Sequence, residues 1–198
     1  MNLHDKVLKK KTKPLRIHHE ENHANSTFSS YLDSLIPNSE CPIVIVCIGT
    51  DRSTGDSLGP LVGTKLKNRF PGYNIYGTLQ SPVHAVNLQE TLRNIEQKYR
   101  NPFVIGIDAC LGKLSSIGFV SAGIGPVRPG AGVHKQLPAV GDIHITGIVN
   151  VGGFMEHIVL QNTRLHLVMT MADFIADGLF LSLYKRKPKG FKNEMVSS

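Results

Sequence analysis

Two aspartates stand out for the places they occupy. Asp56 lies in the stretch Gly49-Thr50-Asp51-Arg52-Ser53-Thr54-Gly55-Asp56-Ser57-Leu58-Gly59-Pro60, directly after an apolar, β-branched run that ends at Ile48. Asp108 follows a second apolar run, Phe103 to Ile107, and leads into Ala109-Cys110. Carboxylates so placed can do three jobs. One can stay ionised as a general base while the other donates a proton. Both can hold a divalent metal through oxygen, helped by a histidine. Or each can simply cap a helix, which for Asp56 is favoured by the orphan amides and dipole of the helix expected after it.

The histidines and cysteines widen or narrow these choices. His134 closes the loop Arg128-Pro129-Gly130-Ala131-Gly132-Val133-His134, and His144 sits in Asp142-Ile143-His144-Ile145-Thr146-Gly147; both segments can reach the carboxylates. One histidine with two carboxylates is a workable metal shell. His4, His18, His19 and His23 lie in a polar stretch and are expected in solvent, His84 in a loop, His157 on a helix and His166 in a strand. Cys41, Cys47 and Cys110 are odd in number and form no CxxC pair, so packed, reduced thiols are expected. Cys110, two residues after Asp108, keeps a thiol nucleophile open as an alternative. The glycine-bearing loop is not a phosphate cradle: it has neither GK[ST] nor GxGxxG, and Asp56 stands where a phosphate would want a cation or a bare amide.

The elements that must position these groups follow from periodicity. Phe28, Tyr31, Leu32 and Leu35 share one face of a helix over 26–36, ended by Pro37. Ile43 to Ile48 reads as a strand buried on both faces. A helix over 58–69, a strand from Asn74 to Leu79, a helix over 85–99 with Val86, Leu88, Leu92 and Ile95 buried, and a strand from Phe103 to Ile107 come next. Ser116 to Ile124 reads as an outlying strand, Pro126 to Val140 as a loop and Gly141 to Ile145 as a short extended piece. A helix over 152–161, a fifth strand from Arg164 to Met169 and a helix over 171–184 complete the chain. Strands alternating with helices imply a three-layer α/β/α domain with a mostly parallel central sheet. In such sheets ligands bind at the carboxyl ends of the strands, which is where Asp56 and Asp108 emerge.

With 198 residues, 41% of them hydrophobic, the chain can build one core. The expected organisation is a polar, basic tail with a short helix over 1–40, one α/β domain over 41–185, and a basic tail over 186–198. The net charge of +7 gathers in those tails: Lys6, Lys9, Lys10, Lys11, Lys13 and Arg16 at one end, Lys185, Arg186, Lys187, Lys189 and Lys192 at the other. No aromatics interleave the N-terminal cluster, so nucleic acid is not an expected partner. No secretory signal and no apolar stretch of about 20 residues is read, so no membrane partner is expected and the chain is placed in the cytoplasm.

Three segments together carry a family resemblance. Ile48-Gly49 with Thr54-Gly55-Asp56-Ser57-Leu58-Gly59-Pro60 resembles the strand–loop–helix of the spore germination protease and of hydrogenase maturation proteases. Ile107-Asp108-Ala109 resembles the second aspartate segment of the germination protease, and Pro129-Gly130-Ala131-Gly132-Val133 its glycine-rich loop. The whole pattern is most similar to the sporulation protein YyaC family. The resemblance implies a phosphorylase/hydrolase-like fold of the hydrogenase maturation protease type and a peptidase of sporulation or germination, acting in the sporulating cell or spore. It implies catalysis by Asp56 and Asp108, substrate contacts at Gly130, Gly132 and His134, a protein or peptide substrate, and a homo-oligomer. His144-Ile145-Thr146-Gly147-Ile148 resembles the histidine segment of the hydrogenase-type relatives, which implies a divalent metal at Asp56, Asp108 and His144. A non-catalytic binding protein on the same fold and a metal-dependent hydrolase are the alternatives. The chain is much shorter than the germination protease and shows no propeptide of the kind that protease removes.

Overall fold

The structure, a computed structural model, describes residues 13–130, 137–184 and 186. A six-stranded sheet runs through them in the order β1-β5-β6-β4-β2-β3. The strands are β1 (Leu15–His18), β2 (Ile43–Cys47), β3 (Asn74–Tyr76), β4 (Phe103–Gly112), β5 (Phe119–Ile124) and β6 (Ile143–Val151). The four strands from β6 to β3 are mutually parallel, and β5 runs antiparallel to both of its neighbours. The helices are α1 (Ala24–Leu35), α2 (Leu58–Arg69), α3 (Leu88–Lys98), α4 (Glu156–Gln161) and α5 (Leu165–Tyr184). The expected α/β architecture is what is found.

The two faces of the sheet are covered unequally. Alternation along β2 sends Ile45 and Cys47 to one face and Val44 and Val46 to the other. The first face carries α1, α2 and α5, whose Phe28, Leu32, Leu58, Val62, Leu66, Met171 and Ile175 form a large core with Ile105, Ile107, Ile143 and Ile145. Phe28 stacks on Phe174 with centroids 4.9 Å apart. The second face has a smaller core, in which Leu88 and Ile95 of α3 meet Val44, Val46, Val127 and Val140. Here Val127 and Val140 pair in an isolated bridge across β4. Gly106 permits that crossing, because a Cβ there would lie 2.4 Å from the Val140 carbonyl oxygen.

Several elements differ from the sequence reading. Leu15–His18 lies in the stretch expected to be a polar tail, yet it forms a sheet edge paired with β5, with Ile17 in the core. His19 is correspondingly not solvated: its Nδ1 is 2.9 Å from the Gly118 carbonyl oxygen. The strand ending at Ile124 is not outlying but lies between β1 and β6. The short piece at Gly141–Ile145 runs into the nine-residue β6, which lies beside the other long strand, β4, and pairs with it in parallel. Arg164–Met169 is not a strand; apart from Arg164 it is the beginning of α5, where Val168, Met171, Ala172, Ile175 and Leu179 keep helical spacing. His166 is therefore helical. By length and composition α5 passes as apolar enough to cross a membrane, but its buried residues pack against α1 and α2 as a core helix. Val86 is 89% exposed rather than buried, because α3 begins only at Leu88. Arg186, read as tail, donates to the Asp33 carboxylate and to the Asp33 and Ile36 carbonyls, fastening the end of α5 to the end of α1.

Candidate active site

β2 and β4 are neighbours in parallel register, with Cys47 opposite Ile107. β2 ends there, whereas β4 continues to Gly112. Asp108 is thus not at the end of its strand, as the sequence implied, but at the point where the sheet's carboxyl edge steps down to β2. The chain leaves β2 through Gly49, at φ 142°, where a Cβ would lie 1.9 Å from the Asp56 carbonyl oxygen. Only glycine fits that approach. It lets the Thr50 amide donate to the Asp56 carbonyl (3.2 Å) and closes the turn that carries Asp56 back toward Asp108. Asp56 itself sits in a single 3₁₀ turn, Gly55–Ser57, that runs into α2. Neither Thr54 nor Ser57 makes a capping side-chain hydrogen bond there, and Asp56 lines a cavity instead.

That cavity, of about 120 Å³, holds Asp56, His84, Asp108 and Gly130 among walls from Ile48, Ala85, Ala109, Pro129 and Leu137. A second cavity, of about 300 Å³, shares Asp108 and Ala109 with it and continues along Cys110, Arg128, His144 and Thr146. A third, of about 290 Å³, shares Thr50, His84 and Ala85 and continues along Asp51, Arg52, Pro82 and Val86. The shared walls set the three side by side, from the loop after β3, past the carboxylates, to β6.

Both aspartates hold their protons more tightly than usual. For Asp56 the main cause is burial, opposed by the nearby Ser53 hydroxyl, although Ser53 Oγ is not in full hydrogen-bonding geometry with any partner. Asp108 is pushed well up, first by burial and then by the neighbouring charge of Asp56, against the Ala109 amide, which donates to its Oδ1 at 2.9 Å. Part of the Asp108 residue still faces solvent, but its carboxyl lies deep among neighbouring atoms. Asp56 therefore ionises first and Asp108 keeps its proton longer, the separation of roles that acid–base pairs require.

The remaining expected residues divide. Gly130 lines the central cavity. Gly132 and His134 lie outside the described residues. His144 is placed by β6 in the second cavity with Asp108, away from Asp56, with its Nδ1 3.0 Å from the Gly125 carbonyl oxygen. The expected metal set of Asp56, Asp108 and His144 is not assembled: among the described residues no three His, Cys, Asp or Glu side chains are grouped to hold one ion. Cys110 is a poor nucleophile. Burial and then the charge of Asp108 lift its thiol to about 11, against smaller opposing effects of Thr146 and Arg16, so it is protonated near neutrality. His84, expected only as a loop residue, comes to the carboxylates' cavity through the neighbouring Ile48–Val83 bridge, which spacing along the chain does not reveal.

A family model described as "Protein of unknown function (DUF1256)" matches residues 16–178. The chain belongs to the DUF1256 family. It is 62% identical over 142 residues to the uncharacterized protein YyaC of Bacillus subtilis (strain 168), a match covering 71% of this chain and 69% of that protein. Among solved structures it is similar to the [NiFe] hydrogenase maturation protease HycI from Thermococcus kodakarensis KOD1. That similarity has a TM-score of 0.51 and 18% identity, and covers 78% of this chain and 99% of HycI. At that identity the likeness speaks for the fold, and it places this DUF1256 chain on the α/β scaffold of a protease.

Proposed function

We propose that this DUF1256 chain is a peptidase that cleaves a protein substrate with Asp56 and Asp108, in the cytoplasm of a sporulating or germinating cell. The observation that carries the reading is the pair itself: two carboxyl groups, delivered from neighbouring parallel strands, share one cavity with a further cavity on either side. Their affinities for protons are raised unequally. The fold, shared with a maturation protease, agrees with it.

The chemistry follows from which group ionises first. Ionised Asp56 takes a proton from a water molecule as the water oxygen bonds to the scissile carbonyl carbon. Protonated Asp108 gives its proton to the carbonyl oxygen, leaving a neutral diol; its Oδ1 is engaged by the Ala109 amide, so Oδ2 carries that proton. On collapse Asp108 takes a proton back from the diol, the C–N bond breaks, and Asp56 delivers its proton to the leaving nitrogen. Both carboxyls return to their starting states. Activity requires Asp56 ionised and Asp108 protonated, so the pH–rate profile is expected to be bell-shaped. Its acid limb should lie above the ordinary carboxylate value because Asp56 is raised, and its alkaline limb belongs to Asp108.

The test is to incubate the purified chain, and its Asp56→Asn, Asp108→Asn double variant, with small acid-soluble spore proteins and with a sporulating-cell extract. Arms with EDTA and with added Ni²⁺ or Zn²⁺ read metal dependence directly, and mass spectrometry reads new peptide termini. Defined termini made by the wild type and missing with the variant support the peptidase. Termini made equally by both would sink the assignment of the pair. No cleavage in any arm favours a binding protein on this scaffold.

A further inference from the structure

We propose that His84 is a third functional group of the carboxylate site, a hydrogen-bond donor aimed at the same ligand as Asp56 and Asp108. The inference rests on the peptidase reading for its catalytic consequence and on geometry for its placement. His84 lines the central cavity together with Asp56 and Asp108, and it also lines the cavity beside it. Its Nδ1 accepts a hydrogen bond from the Val86 amide at 3.3 Å. A nitrogen that accepts from an N–H carries no proton itself, so the nitrogen left to bear the ring's proton is Nε2. Among the described residues Nε2 has no protein partner, and it is the ring atom left for a ligand.

The loop holding the ring is fixed by contacts that do not involve the ring. The His84 amide donates to Asn87 Oδ1 at 2.8 Å, Asn87 Nδ2 donates to the Pro82 carbonyl at 3.0 Å, and the Leu88 amide donates to the His84 carbonyl at 2.9 Å. Val83 further ties the loop to the sheet, by its bridge to Ile48 and by its carbonyl, which accepts from the Gly49 amide at 2.8 Å. The imidazole is thus preorganised at the mouth of the site. In the peptidase, Nε2–H stabilises the carbonyl oxygen as charge develops on it, before and while Asp108 delivers its proton. No net proton transfer to or from His84 is needed. Removing one such donor characteristically lowers kcat by about 10²–10³-fold with little change in KM.

The experiment compares wild type, His84→Ala and His84→Gln on the cleaved substrate, together with two-bond ¹H–¹⁵N spectra of the histidine rings of wild type and of the Asp56→Asn, Asp108→Asn double variant. His84 signals are assigned by their loss in His84→Gln. Expected are a kcat loss of about 10²–10³-fold in His84→Ala, partial recovery in His84→Gln, whose amide restores a donor, and an Nε2–H pattern for the ring. Wild-type kcat in His84→Ala overturns the proposal while leaving the aspartate peptidase standing. If the wild type cleaves nothing, the peptidase reading fails and the spectra decide: a His84 ring that shifts or changes its titration in the double variant supports a shared site, and an unmoved ring overturns it.

Discussion

The two faces of the sheet are built to different standards. One is roofed by α1, α2 and α5 over a large continuous core. The other has α3, the Val127–Val140 crossing and a smaller core beside β2, β3 and β4, and over β6 it leaves Asp108, His144 and Thr146 on cavity walls. A buried carboxyl costs stability and a packed aromatic contributes it. Placing the carboxyls against the thinner layer lets the thicker one offset their cost without filling the cavities.

The largest expected effect tests whether chemistry is confined to the thin side. Asp56→Asn or Asp108→Asn should each lower kcat by about 10²–10⁴-fold, the worth of a general acid or base, with the fold retained by circular dichroism. Unfolding instead of inactivation would mean the pair is structural. Next comes the thick side. Phe28→Ala removes the ring stacked on Phe174 and should cost about 3–5 kcal/mol in urea unfolding. Ile95→Ala, on the buried face of α3, should cost about 2 kcal/mol, the lower end for such truncations, since its core is smaller. Equal losses would erase the contrast between the layers.

A subtler contrast lies in pH. The folded state raises the proton affinity of Asp108, so between the ordinary carboxylate value and the raised one the native state binds more protons than the unfolded chain. Stability from this group is therefore fully present at low pH and is lost as pH rises through that window. Asp108→Asn should be more stable than wild type at pH 7, and the difference should shrink toward pH 4; denaturation curves at the two pH values measure it. The smallest effect is expected in the third cavity. Val86→Ser, at an exposed loop position, should change stability by no more than about 0.5 kcal/mol while altering KM if substrate reaches that far.

How much of this was legible depended on how far each feature reached along the chain. The helix over 58–69 was readable to the residue because its apolar face and its preceding loop are local signals. Asp56 and Asp108 were legible because both follow apolar runs and the carboxyl-edge rule needs only that. β6 was missed as a long strand because Gly147 interrupts its alternation; the glycine sits where a Cβ would meet Leu58 Cδ2 at 2.5 Å, a contact made by another element. Arg164–Met169 alternated over too few residues to distinguish a strand from the helix that tertiary packing makes of it. His84 was invisible as a site residue, since nothing near it in sequence shows that Val83 bridges Ile48 at the end of β2.

The step between β2 and β4 also makes the two acids unequal in how they are held. Asp108 is threaded through the middle of a strand hydrogen-bonded to β6 beyond that point, so moving it means re-registering the sheet. Asp56 hangs instead on a turn outside the ladder, held by the Thr50 amide on its own carbonyl and by the close approach at Gly49. The distance between the two acids is thus set from one side only, by the turn that Gly49 closes: a fixed anvil, and a hammer on a short handle.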